Sequence, residues 1–310
     1  MMRKLVAGID IGGTNVFFAL VDAEGNIFSK SSVRTKDFPE PQQLVDEVSS
    51  QILSLMKNHP DHELSGVGIG APNGNFFNGT IEFAPNLNWK GIIPLAKYFE
   101  EKLNCKAILN NDANAAALGE MIFGGAKGMK DFIFITLGTG LGSGIVVNGE
   151  IVYGHDGFAG EIGHVMVERN GRPCGCGRKG CLETYCSATG IVKTYLEIIS
   201  QSEITNHKSE IDARYIFEKA HHGEQAAIDS FNFTGDLLGY ALANSVAYTS
   251  PEAIFLFGGL AQAGDLIFKP TIESFERNVL NIYKGKVKIL PSRLNETDAA
   301  ILGAAAPVWK

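Results

Sequence analysis

The sequence predicts a two-domain α/β protein built by duplication, with a metal-binding knuckle set into its second half. Three observations carry that expectation. At 310 residues the chain is long for one core, and the soft prior of ~150 residues per domain points to two. A strand that enters a Gly/Thr turn and returns as a strand occurs twice, with Gly138 lying 126 residues after Gly12, and self-similarity of this kind marks duplicated domains. Finally, Cys174, Cys176 and Cys181 follow His164 on one short stretch with the spacing Cys-x-Cys-x4-Cys, a donor set suited to closed tetrahedral zinc.

Composition narrows the function classes. Hydrophobic residues at 45% and charged residues at 20% are ordinary for a soluble globular enzyme. No apolar run reaches the ~18 residues of a membrane span, and the first residues pass into Leu5-Val6-Ala7-Gly8-Ile9 without a cleavage site, so a cytoplasmic protein is expected. A net charge of −7 gives no field for nucleic acid or anionic lipid. Any phosphate bound here must be held locally, by backbone N–H groups, helix termini and a metal ion.

The first strand, Lys4 to Asp10, ends at Asp10-Ile11-Gly12-Gly13-Thr14. Val16 to Val21 follows after a gap too short for a helix, so the two strands form an antiparallel hairpin. Asp22 to Asn26 then turns the chain into a third strand over 27–34. The glycines bring backbone amides and the Thr14 hydroxyl to the hairpin tip, where phosphate is the natural occupant. A plain turn explains one such loop equally well. The second copy, Ile135 to Val147 with Gly138, Thr139 and Gly140 at its tip, strengthens the phosphate reading, since two hairpins across a cleft would grip a polyphosphate from both sides.

Between the copies, Leu44, Val45, Val48, Ile52, Leu55 and Met56 mark one face of a helix over 41–58. The strand Leu64 to Ala71 leads into Pro72-Asn73-Gly74, at the strand edge where ligands bind in open α/β sheets. Ala84 to Trp89, containing Asn86, is a second loop. The strand Ala107-Ile108-Leu109 delivers Asn110-Asn111-Asp112 to an alanine-rich helix, so Asp112 sits at or next to a helix N-terminus. A carboxylate there is either a helix cap or a general base.

The knuckle occupies 160–183. Its glycines suit a loop folded around a metal, and Cys174 and Cys176 are too close to form a comfortable disulfide. Glu161 and Glu183 flank the ligands, so metal would gather two acidic groups and one oriented imidazole. Beyond it, helices are expected over 188–199 and 230–248, with a polar connection over 200–211. The strand Ala253 to Phe257 ends at Gly258-Gly259, a turn open to a flat adenine ring or simply a strand-to-helix turn. Thr297-Asp298 caps a final helix over 299–306.

With these residues in place, the chain resembles the ROK family of sugar kinases and repressors, within the actin-like, ribonuclease-H-like ATPase superfold. The residues that carry the resemblance are Asp10-Ile11-Gly12-Gly13-Thr14, Asn111-Asp112-Ala113-Asn114-Ala115, Leu137-Gly138-Thr139-Gly140, Glu161-Ile162-Gly163-His164, the three cysteines, Leu182-Glu183 and Asp298-Ala299-Ala300. It implies a smaller domain of residues 1–117 plus 298–310 and a larger one of residues 118–297. It implies an ATP-dependent hexose kinase in which Asp112 accepts the proton of the sugar 6-hydroxyl as that oxygen attacks the γ-phosphate. Asn86, Asn111, Glu161, His164 and Glu183, with the Pro72-Asn73 loop, would hold the sugar. Asp10 would help hold Mg²⁺ directly or through water, Gly12, Gly13, Thr14, Gly138, Thr139, Gly140, Gly258 and Gly259 would meet the nucleotide, and His164, Cys174, Cys176 and Cys181 would bind structural Zn²⁺. Domain closure on the sugar is expected to expel water. The stretch around the knuckle looks most like glucose-phosphorylating members. N-acetylglucosamine, N-acetylmannosamine and fructose kinases are the near alternatives, because Asn73-Gly74 replaces the Gly-Pro of many relatives. A repressor of this family carries a winged-helix segment ahead of the kinase-like part, which the early position of Asp10 disfavours; a non-catalytic sugar sensor is the other distinct class. A homodimer or homotetramer is expected from relatives.

Overall fold

The computed structural model describes residues 2–200 and 211–310, so most of the polar connection expected over 200–211 lies outside the described residues. The chain divides into two compact units. The first comprises Met1–Met129, Ile151–Gly160 and Arg293–Lys310; the second comprises Lys130–Glu150 and Glu161–Ser292.

In the first unit, β1 (Arg3–Ile11), β2 (Asn15–Val21) and β3 (Ile27–Arg34) form an antiparallel meander. β4 (His62–Ala71) and β8 (Ala107–Asn111) extend it in parallel, giving the order β3-β2-β1-β4-β8. Asp22 starts the β2–β3 turn by accepting the Glu24 and Asn26 N–H groups on its carboxylate. One face is covered by α1 (Pro41–Met56) and α2 (Leu95–Leu103), whose Leu44, Val48, Ile52, Leu95 and Phe99 are buried with Leu5, Ile9, Ile69 and Leu109. α3 (Asp112–Phe123) packs with α8 (Glu296–Trp309), which lies on β1 and β4. Three short strands, β5 (Gly74–Asn75), β6 (Thr80–Glu82) and β7 (Ile92–Ile93), form a small separate sheet.

The second unit repeats the plan. Its sheet runs β11-β10-β9-β12-β13, from β9 (Phe132–Leu137), β10 (Leu141–Val147), β11 (Glu150–Ile151), β12 (Ala253–Phe257) and β13 (Lys288–Pro291). β9 and β10 are antiparallel, while β12 is parallel to both β9 and β13. Two antiparallel hairpin strands, a central strand and two parallel neighbours therefore recur in the same order, which is the duplication read from the glycine motifs. Asn148 and Gly149 both take positive φ, 54° and 78°, as a tight hairpin turn requires. α4 (Ala188–Ser200), α5 (Ala213–His221), α6 (Gln225–Thr249) and α7 (Asp265–Asn278) share one core with Ile133, Ile135, Ile254 and Leu256. No described helix is long and apolar enough to cross a membrane.

Several boundaries differ from expectation, among them the domain division, since Ile151–Gly160 and Arg293 onward belong to the first unit, and the start of the last helix. A division after Ala117 would cut α3, which runs unbroken to Phe123 and belongs to the first unit throughout. The last helix begins at Glu296, so Thr297 and Asp298 lie inside its first turn rather than ahead of it.

Close approach of α8 to the sheet depends on glycine. A Cβ on Gly8 would lie 2.3 Å from the Ile301 carbonyl oxygen, and one on Gly68 only 1.9 Å from that of Ala304. Both obstacles are backbone, which cannot turn aside. Gly68→Ala is expected to lower unfolding stability by about 1–3 kcal/mol through overpacking, measured as a lower urea midpoint; an unchanged midpoint would mean that α8 can lift off β4 freely.

Candidate active site and metal centre

In the first unit the chemistry gathers at the C-terminal edge of the parallel strands. Asp10 on β1, Gly70 on β4 and Asn110 on β8 are register partners in adjacent strands, so they share one face of the sheet. Gly70 has no side chain, and Asp10 Oδ1 lies 3.8 Å from where its Cβ would stand. Asn110 is fully buried, and among the described residues neither polar atom of its side chain, nor Asn114 Oδ1 on α3, has a hydrogen-bond partner.

Asn111 is the cap of α3: its side chain accepts the Ala113 N–H at 2.9 Å, and its backbone is extended-like with ψ 144°. Asp112 is the first helical residue, and its Oδ1 also accepts the Ala113 N–H, at 2.8 Å. With Asn111 already serving as cap, capping does not account for Asp112. Its side chain reaches solvent, while the protein crowded around its carboxyl raises its pKa, partly offset by the Ala113 N–H. Asp10 is pushed up to about 7, first by burial and second by the charge of Asp112. Two acidic groups held in this way relieve each other when one is protonated or when a cation stands beside them.

The first hairpin is tied from behind. Gly12 N–H donates to the Asn15 carbonyl, Thr35 Oγ1 donates to the Gly12 carbonyl at 2.6 Å, and Thr35 N–H donates to that of Thr14. The Asn86 backbone lies so close to Gly13 that a Cβ there would be 2.6 Å from its carbonyl oxygen, which brings the second expected loop against the hairpin. Asn73 has the left-handed φ of 51°, a conformation Asn tolerates better than most residues. Its Nδ2 donates to the Glu82 carbonyl at 3.0 Å, so its amide nitrogen braces the loop. Gly74 follows because a Cβ there would meet the Asn110 carbonyl at 2.4 Å.

In the second unit, Gly138 and Thr139 line a cavity of about 480 Å³ together with Ala188, Arg214, Phe217 and Gly259. Gly258 takes φ 100° and packs on Leu137, turning the chain so that Gly259 meets the cavity. The opposite wall, Arg214 and Phe217 on α5, carries no recognisable motif and was not expected.

The knuckle's four donor atoms, from His164, Cys174, Cys176 and Cys181, all lie within 4.8 Å of one another. Cys174 Sγ is 3.6 Å from His164 Nδ1 and Cys176 Sγ is 3.6 Å from Cys181 Sγ. A tetrahedral centre with Zn–S of about 2.3 Å has ligand edges of about 3.7 Å, so the set fits zinc. The cysteines are unpaired. Hydrogen bonding from Arg178 lowers the Cys176 thiol to about 6, whereas burial raises Cys174. With Nδ1 toward the sulfurs, His164 Nε2 lies 4.0 Å from Glu161 Oε2. Glu183 sends Oε2 to the Leu141 N–H at 3.0 Å, with Oε1 3.8 Å from Cys174 Sγ.

Arg172, also unexpected, anchors the knuckle. Its guanidinium donates to the carbonyls of Thr184 and Gly190, to Thr194 Oγ1 and to Glu197, and lies 4.4 Å over the Tyr185 ring. It thereby joins the knuckle to α4.

The doubled sheet with its two hairpins is the actin-like, ribonuclease-H-like ATPase fold. The ROK family profile matches residues 6–310, and the chain belongs to that family. A glucokinase of Halalkalibacterium halodurans is 35% identical over 295 residues, covering 90% of this chain and 88% of its own. A ROK family glucokinase from Streptomyces griseus, solved with glucose and AMPPNP, is 33% identical with a TM-score of 0.81, covering 97% of this chain and 98% of that one. The xylose repressor of Bacillus spizizenii is more distant, 29% identical over 302 residues that cover 95% of this chain and 74% of the repressor.

Two outcomes follow from the site. Cys176→Ser is expected to purify with substoichiometric zinc, read by metal analysis, and full retention would exclude Cys176 as a ligand. Because the folded-state pKa of Asp10 is raised to about 7 from an ordinary value of about 3.9, its favourable contribution is complete below the ordinary value and is lost as pH rises through 7. Without divalent cation, Asp10→Asn should therefore melt above wild type at pH 8.5, by several degrees, with the gap closing toward pH 4; a gap independent of pH would contradict the shift.

Proposed function

We propose that this protein is an ATP-dependent hexose kinase that transfers the γ-phosphate of ATP to the 6-hydroxyl of glucose, with Asp112 as general base. The observation that carries the reading is Asp112 itself: a carboxylate with a raised pKa, open to solvent at a helix start whose cap is already supplied by Asn111. The glucokinase relatives support the substrate class.

In this reading Asp112 accepts the proton of the sugar hydroxyl while the hydroxyl oxygen forms its bond to the γ-phosphorus, and the bond to the ADP oxygen breaks. A pKa above the ordinary carboxylate range brings the base closer to the operating pH. Backbone N–H groups of the glycine hairpins stabilise charge on the transferred group, and the cavity lined by Phe217, Arg214 and Gly259 takes the adenine. Mg²⁺, when bound, would neutralise charge on the phosphates, and this proposal assigns Asp10 to hold it directly or through water. The hexose-ligand roles of Asn86, Asn111, Glu161, His164 and Glu183, and of the Pro72-Asn73 loop, belong to the same proposal. So do a cytoplasmic location and assembly into a homodimer or homotetramer. Assembly draws support from exposed apolar residues around one groove of the second unit, Tyr248 at 89% and Met166 at 59% exposure among them.

The test is a coupled assay of ATP consumption with Mg²⁺ across glucose, N-acetylglucosamine, N-acetylmannosamine, mannose and fructose. Preference for glucose is expected; preference for another hexose would replace the substrate, and no turnover with any would favour a sugar sensor. Asp112→Asn should bind glucose within about threefold of wild type and lose at least about 10³-fold in kcat, compared by calorimetry and the same assay. Substantial retained turnover would assign the proton to another base.

A further inference from the structure

We propose that the zinc knuckle is the splint of the nucleotide-binding hairpin, and that Glu183 is the positioning residue that joins the two. Loss of metal or of Glu183 then weakens ATP binding even when no sugar is present. The inference rests on the reading of the 138–141 loop as a nucleotide site, and it extends the knuckle's role beyond the sugar pocket.

Both flanks of the knuckle touch the same hairpin, over residues 138–143. On the exit side, Glu183 Oε2 accepts the Leu141 N–H at 3.0 Å, Ala188 N–H donates to the Gly138 carbonyl at 2.8 Å, and Thr189 Oγ1 donates to the Thr139 carbonyl at 2.9 Å. On the entry side, Ile162 N–H donates to Ser143 Oγ at 3.1 Å. Gly163 lies so close that a Cβ would stand 2.1 Å from the Leu141 carbonyl oxygen. A Cβ on Gly140 would be 2.3 Å from Glu183 Oε2, so the carboxylate packs directly against the loop there. The Gly138 and Thr139 carbonyls and the Leu141 N–H are thereby occupied, and the Gly140 carbonyl accepts the Gly138 N–H, while the Thr139 and Gly140 N–H groups meet no protein acceptor among the described residues. Those two donors remain for an anion.

The metal donors stand next to these contacts. His164 adjoins Gly163, and Cys181 precedes Glu183 by two residues. Near these ends the flanks are otherwise joined by backbone bonds, from Leu182 N–H to the Val165 carbonyl and from Val167 N–H to that of Gly180. A metal bridging His164 and Cys181 closes the entry and exit flanks around the hairpin, so its occupancy fixes where Glu183 meets Leu141. The bond is charge-assisted, and no other carboxylate among the described residues meets that N–H.

The test is calorimetric binding of a non-hydrolysable ATP analogue with Mg²⁺ and no hexose, on wild type, on chelator-stripped wild type, and on Glu183→Ala and Glu183→Gln, with zinc content and Tm recorded for each. Glu183→Ala is expected to retain zinc and to bind the analogue about tenfold more weakly, as loss of one charge-assisted bond implies. Glu183→Gln, which keeps an acceptor oxygen, should recover most of that affinity. Stripped wild type should lose at least tenfold. In turnover, Glu183→Ala should raise KM for ATP by more than it lowers kcat, a split that general destabilisation would not produce. Wild-type affinity in zinc-loaded Glu183→Ala, or in stripped protein that remains folded by circular dichroism, would overturn the coupling. A wild type that binds no analogue would instead sink the nucleotide reading on which it rests.

Discussion

The rest of the structure depends on keeping two acidic groups, Asp10 and Asp112, together at the C-terminal ends of the parallel strands of a mixed sheet. Burial raises Asp10, the protein crowded around its carboxyl raises Asp112, and the charge of Asp112 adds to the shift at Asp10. Such an arrangement persists only where the scaffold over-determines it. Here the scaffold is the tight contact of α8 on β1 and β4 through Gly8 and Gly68, together with the contact of α3 on α8. There a Cβ on Gly119 would lie 2.9 Å from Gly303 Cα. Helices that approach this closely fix the start of α3, and with it the direction of Asp112. The small residues of Ala113 to Ala117 thus serve the position of one carboxylate as much as they serve helix formation.

Duplication divides the chemistry between two versions of one unit. In the first, the hairpin is braced by Thr35 and lies beside the acidic pair. In the second, the equivalent hairpin is braced by the flanks of an inserted metal knuckle and opens onto an apolar cavity. The same backbone device therefore serves different neighbours. On the proposed coupling, zinc in such a loop would be structural in its coordination and functional in what it holds still, because the residues adjoining the ligands are the ones that touch the hairpin.

Much of this was legible in the sequence because it is local. A Gly/Thr turn between short apolar runs forces a hairpin, and four donors within 18 residues force a knuckle. The structure contains both. That Asn111 rather than Asp112 caps α3 turned on a one-residue difference, a distinction that periodicity cannot resolve. Long-range partners were not legible. Thr35, Arg172 and Phe217 acquire their roles from residues far along the chain or in other elements, and no spacing rule announces them. Asn73 was legible as a departure from relatives but not as a brace, since its partner Glu82 lies across the small sheet.

The central claim is that Asp112 accepts a proton in an environment that raises its pKa, and the pH dependence of kcat/KM for glucose tests it most directly, because at saturating Mg·ATP that quantity reports the nucleotide-bound enzyme before glucose enters. Measured from pH 4.5 to 9 with saturating Mg·ATP, the wild-type profile should fall on the acid side with an apparent pKa clearly above the ordinary carboxylate value of about 4. A profile that stays flat to pH 4.5 would contradict the account, since it would mean that the base titrates as an unperturbed carboxylate or that no carboxylate serves as base.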